Sequence, residues 1–290
     1  MLDNSIKTIS NGVVLRAFTL QKEVEEVVDS NSIKMKTTGK RHRNGPKYFT
    51  MFMSELIATG TLMFLGCMGC VPEVDNPPAV HHMSSLSFGL VVLLIIQGFG
   101  HISGAHLNPA VTICALLTNI VTPIMAVVYI IAQFIGAILG FALLKILIPK
   151  DYSKPGFCMT LPNTLLTTLQ ALAIETIITT ILIIIICAVW DKRNADKSDS
   201  VPLRFGFVLV AISMVAGPFT GASMNTVRTF APAVLEGNFQ DQWIYWVAPN
   251  IGAVLGTGLY KYLFSEKEEE STAEENIQFE DDIQNNPEKI

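Results

Sequence analysis

Charged residues are scarce in this chain. Asp, Glu, Lys and Arg make up 16% of its 290 residues, whereas a soluble domain carries about a quarter. The sequence also shows no cluster of ligand residues at metal-site spacing, and no grouping of a nucleophile with a base. These absences argue against a soluble enzyme or a metalloprotein, and we expect neither a cofactor nor a nucleic-acid partner.

Cysteine is sparse as well, with five residues that follow no disulfide-rich framework. Cys67 and Cys70 form a Cys-x-x-Cys pair inside an apolar stretch, where we interpret them as small packing residues. Cys114, Cys158 and Cys187 stand alone in the sequence. No disulfide is predicted from this distribution.

Apolar residues, by contrast, are plentiful: half of the chain is hydrophobic, and the mean hydropathy is +0.43. A helix needs about 20 apolar residues to cross about 30 Å of hydrocarbon. Six segments approach or exceed that length: 49–70, 84–102, 122–148, 164–190, 201–219 and 242–264. The composition therefore predicts an all-α membrane protein with six transmembrane helices.

The distribution of Lys and Arg indicates the orientation. Nine of these residues precede Met51 and four lie in the connection 191–204, whereas the connections 71–83 and 236–241 contain none. Because basic loops tend to stay in the cytoplasm, we expect both termini on that side of the plasma membrane. The segment 1–48 is then a cytoplasmic N-terminal region, and 265–290 is an acidic, disordered cytoplasmic tail.

The membrane-embedded part, 49–264, is a repeat. "AQFIGAILGFALL" from Ala132 matches "APNIGAVLGTGLY" from Ala248 at seven of thirteen positions, at an offset of 116. "GAHLNPAVT" from Gly104 and "GASMNTVRT" from Gly221 share Gly, Ala, Asn and Thr at an offset of 117. Because these features keep their order, the chain divides into two halves of three helices each, 49–148 and 164–264.

Three is an odd number, so the second half must enter the membrane from the opposite face. This predicts an inverted repeat about an axis in the membrane plane. Each half also contains a polar turn followed by a short apolar piece, 108–117 and 225–235. About ten helical residues cover roughly 15 Å, half of the hydrocarbon thickness. We therefore predict two re-entrant half-helices whose tips meet at the midplane.

The polar turns indicate a water-filled lumen, because non-helical backbone at that depth is stable only where protein buries it or water lines it. Asn108 and Asn225 occupy helix N-cap positions, and Pro109 suits the first helical position. Both half-helix N-termini carry partial positive charge. Directed at the lumen, this field and the asparagine donors orient water and repel cations.

With this duplicated asparagine motif the chain resembles the aquaporin family over about residues 49–264, most specifically in "SGAHLNPAVT". The resemblance implies six tilted helices, two half-helices and a homotetramer with one pore per subunit. It assigns the two pore signatures to Asn108, Pro109 and Ala110 and to Asn225, Thr226 and Val227. It assigns the selectivity filter to Phe88, Ser213, Ala222 and Arg228.

The resemblance further implies pore-lining positions, whose backbone carbonyls accept hydrogen bonds from solutes: Gly104, Ala105, His106, Ala222, Ser223 and Met224. Simpler interpretations stay open for three side chains. His106 could be a packed core histidine, Arg228 a snorkelling arginine near a helix end, and Phe88 a lipid-facing aromatic residue.

Glu55 and Glu175 match the buried glutamates that brace the two re-entrant loops in the family. An ionisable group inside a membrane span costs at least about 2.5–3.5 kcal/mol and is usually functional. The alternative to bracing is a binding site for a coupling cation. Two symmetric copies, one per loop, favour the bracing role.

The chain departs from the common pattern at two places. Its second signature reads Asn-Thr-Val instead of Asn-Pro-Ala. Ser213 stands where water-selective members carry histidine, and Ala222 stands where they carry cysteine. A water-type frame, indicated by Thr229, Ala233, Tyr245 and Trp246, with a small residue replacing the filter histidine, resembles the insect entomoglyceroporins.

The sequence thus favours a passive channel for water and small uncharged polyols, with glycerol as the expected solute and urea as a further one. A strictly water-selective channel is the near alternative. An ion-coupled secondary transporter would use Glu55 or Glu175 as its ion site. A junctional adhesion protein is a further alternative, in which the bulky side chains of Val227 and Phe88 would block the pore.

Close helix packing is predicted from two Gly-x-x-x-Gly pairs, Gly136 with Gly140 and Gly252 with Gly256. Such pairs serve either contacts between subunits or packing within one subunit. Their presence in both halves favours the internal role.

Overall fold

The computed structural model describes residues 44–71, 80–152 and 155–265. Apart from Asn44 and Gly45, these residues belong to one compact unit, Pro46–Ile290. The predictions for the basic N-terminal segment before residue 44 and for the acidic tail after residue 265 fall outside the described residues.

Eight α-helices follow one another along the described ranges, and no strand occurs within them. Six are long and two are short, as the sequence predicts for an aquaporin-like fold. A 3₁₀ segment, Lys192–Ser200, joins two of the long helices. The helices are α1 Asn44–Met68, α2 Val80–Ser103, α3 Pro109–Leu117, α4 Pro123–Leu147, α5 Thr168–Trp190, α6 Val201–Thr220, α7 Thr226–Glu236 and α8 Gln242–Leu263.

Five described segments are long and apolar enough to cross a membrane, namely four long helices and Lys192–Thr220, which contains α6. The sixth long helix, α8, has 22 residues, which is about 33 Å of helix, but it carries Gln242, Asn250 and Lys261. Large apolar side chains such as Leu94 and Ile124 are more than half exposed on the outer surface. This outer surface is suited to lipid rather than to water.

The two halves repeat their hydrogen bonds as well as their helices. The Tyr129 hydroxyl donates to the carbonyl of Ser103 at 2.8 Å, and the Tyr245 hydroxyl donates to the carbonyl of Thr220 at 2.6 Å. Each bond ties the third long helix of a half to the end of the second, where the re-entrant turn begins. The internal duplication read from the sequence therefore extends to the contacts that hold the turns.

Glycine allows α1 and α4 to approach closely. A Cβ atom at Gly136 would collide with the carbonyl oxygen of Leu56, and one at Gly140 would collide with that of Gly60. In the second half, a Cβ atom at Gly252 would lie 2.6 Å from Thr179 Cβ, and one at Gly256 would lie 2.8 Å from Ile183 Cβ, both in α5. These contacts all occur within one subunit, so the glycine pairs serve internal packing.

Replacing Gly136 with leucine should prevent correct folding and membrane delivery, because the backbone of α1 leaves no room for a side chain there. Gly258→Leu is the matched control, since a Cβ at Gly258 meets no atom within 4 Å. Surface expression and size-exclusion profiles in detergent measure the outcome. A Gly136→Leu protein that folds as well as the control would refute the internal role.

The interpretation of the cysteines is wrong in one respect. Cys67, near the end of α1, forms a disulfide with Cys158 in the connection between α4 and α5. The two cysteines are 91 positions apart in the sequence, and the residues around each of them give no indication of the pairing. Of the other cysteines, Cys114 and Cys187 are free and buried, with sulfur atoms 3.5 Å apart.

Candidate functional site

Two asparagine caps begin the short helices. The Asn108 side-chain oxygen accepts from the backbone N–H of Ala110 at 2.9 Å, and Pro109 occupies the first helical position of α3. The Asn225 oxygen accepts from the N–H groups of Val227 and Arg228 at 3.1 and 3.4 Å. Both caps satisfy donors that a helix N-terminus would otherwise leave unpaired.

The same asparagines join the two tips. Asn108 Nδ2 donates to the carbonyl of Met224 at 2.8 Å, and Asn225 Nδ2 donates to the carbonyl of Leu107 at 2.8 Å. Each amide has two N–H donors, so each asparagine keeps one N–H that this contact does not use. The Met224 carbonyl, expected to face solutes, already accepts from Asn108.

The unusual second signature preserves this arrangement. Thr226 takes the first helical position of α7, and its hydroxyl donates to the carbonyl of Tyr245 at 3.1 Å. Val227 is fully buried and packs with Met63, Ala137 and Phe141. The extra bulk of valine therefore points into the protein core, away from the lumen.

Glu55 stabilises the first re-entrant turn through hydrogen bonds to its backbone. Its carboxylate accepts from the backbone N–H groups of His106 and Leu107 at 2.9 and 3.0 Å. It also accepts from the Ser103 hydroxyl at 2.7 Å and from Gln133 Nε2 at 2.9 Å. Four donors thus converge on one fully buried carboxylate.

Glu175 does the same for the second turn. It accepts from the N–H groups of Ser223 and Met224, both at 2.9 Å, and from the Thr220 hydroxyl at 2.6 Å. Because both turns place non-glycine residues at positive φ, among them Ala105 at 48° and Ala222 at 45°, they need such support. Residues held in this region cost about 1–3 kcal/mol each.

A single cavity of about 1020 Å³ passes these turns. Its lining reaches from Tyr152 and Phe157, in the connection between α4 and α5, to Trp190 at the end of α5 and Ser198 in the 3₁₀ segment. These connections leave opposite ends of α5, so the cavity extends from one face of the helix bundle to the other. Of the residues predicted from the sequence, the following line it: Phe88, Gly104, Ala105, His106, Asn108, Ser213, Ala222, Ser223, Met224, Asn225 and Arg228.

The other residues predicted for the site are not among the described residues that line the cavity. Pro109, Ala110, Thr226 and Val227 are buried in the first turns of the half-helices. Glu55 and Glu175 are fully buried, and neither belongs to the described cavity lining. Their hydrogen bonds hold the backbone of turns that line the cavity.

Arg228 has a defined place in the cavity wall. Its guanidinium carbon lies 4.5 Å above the centre of the Phe88 ring, and Nη1 donates to the carbonyl of Cys158 at 2.7 Å. The residue is 9% exposed, so the snorkelling interpretation does not apply. Ser213, on α6, and Ala222 line the same cavity, which brings together all four residues assigned to the filter.

His106 packs against two aromatic rings and also lines the cavity. Its ring lies 4.9 Å from that of Tyr129 and 5.7 Å from that of Trp190, measured between centroids. Nδ1 is 3.2 Å from the Thr112 hydroxyl. These contacts set the orientation of a ring that faces the cavity.

At the end of the cavity lined by Trp190 and Ser198, hydrogen bonds join the 3₁₀ segment to the end of α8. Asp191 accepts hydrogen bonds from Arg193 Nε at 2.8 Å and from the Tyr260 hydroxyl at 2.8 Å. The Arg193 side chain holds the pKa of the Asp191 carboxyl well below its usual range. Arg193 Nη2 also donates to the carbonyl of Phe264 at 2.6 Å. This network anchors the 3₁₀ segment whose Ser198 lines the cavity.

Sequence reasoning missed the contribution of the connection between α4 and α5. Cys158 supplies the acceptor for Arg228, and Thr160 lies 2.6 Å from the Thr229 hydroxyl of α7. One signal was present: Cys67 and Cys158 both fall on the side of the membrane that the distribution of Lys and Arg predicts to be non-cytoplasmic. Two cysteines on one oxidising face are candidates for pairing.

Comparison with known proteins agrees with this architecture. Residues 44–260 match the family described as Major intrinsic protein. Human aquaporin-4 is 43% identical over 180 residues, which cover 62% of this chain and 55% of that relative. Aquaporin-2 from Rattus norvegicus is 36% identical over 211 residues, which cover 73% of this chain and 77% of the relative. The match thus spans little more than half the length of human aquaporin-4.

Among solved structures, the aquaglyceroporin from Plasmodium falciparum is similar in fold. The TM-score is 0.66 at 26% sequence identity, and the match covers 74% of this chain and 96% of that one.

Proposed function

Because the chain belongs to the major intrinsic protein family, we propose that it forms a passive transmembrane channel for water and small uncharged solutes. Glycerol is the principal solute besides water, and urea is a further one. Members of this family are channels rather than enzymes. The observation that carries the proposal is the cavity that extends from face to face past both asparagine caps.

The properties of this cavity suit neutral solutes. Asn108 and Asn225 each keep one N–H donor for the lumen, and two half-helix N-termini place partial positive charge beside it. Arg228 adds a full positive charge at the wall. A cation would meet repulsion from all of these groups, whereas water and polyols find hydrogen-bond donors.

The filter supports glycerol in particular. Phe88 offers an apolar ring, Arg228 offers donors, and Ser213 offers a small hydroxyl that both donates and accepts. A polyol that sheds water in the constriction loses about 1–3 kcal/mol for each polar group left unpaired. A small polar residue at position 213 leaves space and supplies a partner, which agrees with the entomoglyceroporin-like pattern of the sequence.

The contacts of the two glutamates argue against an ion-coupled transporter. Four donors converge on Glu55 and three on Glu175. Both carboxylates lie behind the described cavity lining. A coupling cation would have to displace hydrogen bonds that hold the turns in shape.

An occluded adhesion protein is disfavoured for a different reason. Val227, which could have blocked the lumen, is packed in the core among apolar side chains. Phe88 does line the cavity, but its ring is held beside Arg228, and the cavity continues past it.

We also propose a plasma-membrane location with both termini in the cytoplasm, and a homotetrameric assembly. The Cys67–Cys158 disulfide supports this orientation, because it lies near the C-terminal end of α1, whereas the basic residues precede that helix in the sequence. Disulfides persist on the oxidising side of a membrane. The extensive apolar outer surface suits both lipid and neighbouring subunits.

The proposal is tested with purified protein in proteoliposomes. Stopped-flow light scattering should show water and glycerol permeabilities well above those of protein-free liposomes, with no dependence on a proton or sodium gradient. Transport that collapses with the gradient would favour the ion-coupled alternative. Water flux without glycerol flux would identify a strictly water-selective channel, and normal insertion without any flux would favour the adhesion protein.

A further inference from the structure

We propose that the Cys67–Cys158 disulfide positions the selectivity filter, by fixing the loop carbonyl that holds the Arg228 guanidinium at the pore wall. The inference rests on the proposed function of this cavity as a solute filter, and it adds a covalent element to that filter.

One residue connects the disulfide to the filter. Cys158 bonds through its sulfur to Cys67 of α1, and its backbone carbonyl accepts from Arg228 Nη1 at 2.7 Å. A constraint on the Cys158 side chain therefore acts on the atom that Arg228 contacts. Loss of the disulfide can therefore reach the filter through Cys158 alone, without movement of any other residue.

The backbone of Cys158 needs such a constraint. Its φ is +58°, in the left-handed region that residues other than glycine seldom adopt. A Cys158 released from α1 gains freedom to return to negative φ, and a change of φ and ψ there rotates its carbonyl. The disulfide joins this residue to Cys67, which is fully buried within α1.

Neighbouring anchors hold the rest of the connection but not this peptide. Phe157 stacks on Phe141 with centroids 6.0 Å apart, and the Thr160 hydroxyl is 2.6 Å from that of Thr229. These contacts would persist without the disulfide, so the connection as a whole should stay in place. The expected change is local, in the orientation of the carbonyl between the two anchors.

Loss of this acceptor should redirect Arg228. A guanidinium has five N–H donors, and a buried donor without a partner is unfavourable. The lumen then offers the nearest replacement, so the side chain turns toward permeating water and narrows the constriction. A narrower constriction retards glycerol more than water.

The test compares Cys67→Ala and Cys158→Ala with a matched control, Cys114→Ala, whose cysteine is free and lies in α3. Water and glycerol permeabilities are measured on the full chain in proteoliposomes at equal protein content. Both disulfide variants should lower the glycerol-to-water ratio by about fivefold or more, the size expected for one unmade hydrogen bond. The control should keep the native ratio.

A thermodynamic cycle separates positioning from simple structural support. In an Arg228→Ala background, adding Cys67→Ala should leave the permeability ratio unchanged, because the residue through which the disulfide acts is absent. An equal effect in both backgrounds would overturn the proposal. So would a proportional loss of both fluxes in the disulfide variants, which is the signature of fewer active channels.

If either variant fails to fold, the native protein is treated with dithiothreitol after purification, and complete reduction is verified by thiol labelling and mass spectrometry. The reagent supplies two electrons and two protons, becomes a cyclic disulfide, and leaves both cysteines as thiols. A changed ratio that is absent in Arg228→Ala supports positioning, and an unchanged ratio overturns it. If the native channel carries water but no glycerol, the glycerol assignment fails by itself. A change in water permeability on reduction that is absent in Arg228→Ala then supports positioning, and an equal change in both backgrounds overturns it.

Discussion

Replacing Ser213 with histidine is expected to reduce glycerol permeability about five- to a hundredfold, while water permeability stays within a few-fold of the native value. The imidazole ring would fill space in the cavity that Ser213 shares with Phe88 and Arg228. A glycerol molecule would then enter with at least one polar group unpaired, at about 1–3 kcal/mol, which corresponds to this range of rates. Stopped-flow measurements on proteoliposomes provide both permeabilities.

Ser213→Ala is the control for this experiment. It keeps the space but removes the hydroxyl, so it should lower glycerol permeability only mildly. A Ser213→His channel with an unchanged glycerol-to-water ratio, at equal protein content, would show that the size of residue 213 does not set the filter. The glycerol assignment would then lose its main support.

Arg228→Ala should raise proton and small-cation leakage by an order of magnitude or more. A unit charge about 4 Å from a permeating cation contributes roughly 4 kcal/mol of repulsion at an effective dielectric constant near 20, and about 1.4 kcal/mol corresponds to a factor of ten in rate. The native guanidinium occupies the cavity wall beside Phe88. Leakage is measured with a pH-sensitive dye inside the liposomes and by planar-bilayer conductance.

Arg228→Lys distinguishes charge from geometry. Lysine keeps the positive charge but lacks the planar fork of arginine, so cation exclusion should largely persist while the contact with the Cys158 carbonyl weakens. Ion conductance in Arg228→Ala that matches the native channel would contradict the role of this residue in the filter. If Arg228→Lys raises ion leakage as much as Arg228→Ala does, cation exclusion depends on the shape of the guanidinium and not on its charge.

Much of the fold could be read from the chain because its features are local or periodic. A run of apolar residues long enough for a membrane span has few alternatives in hydrocarbon, where every backbone polar group needs an internal partner. The predicted half-helices, 108–117 and 225–235, lie within one residue of the observed α3 and α7. Asparagine caps and a proline at the first helical position define such starts by short-range hydrogen bonds alone.

The site was only partly predictable. Asn108, Asn225 and Arg228 belong to sequence motifs and lie together in the structure. The partners of these residues belong to no motif. Leu107 and Met224 accept hydrogen bonds through their backbone carbonyls. Because every residue type has a backbone carbonyl, the sequence does not indicate which residues are these acceptors.

The sequence by itself determined the six long helices, the duplicated half-helices and the small residue at position 213, since each depends on local composition, spacing or identity. Only the tertiary structure decided that Val227 points into the core and that Cys67 pairs with Cys158 across 91 residues. It also decided that the pair ends at the carbonyl that holds Arg228. The physical reason is that these contacts join segments distant in the chain, whose meeting depends on how an irregular connection folds back over α1, and no local propensity encodes that path.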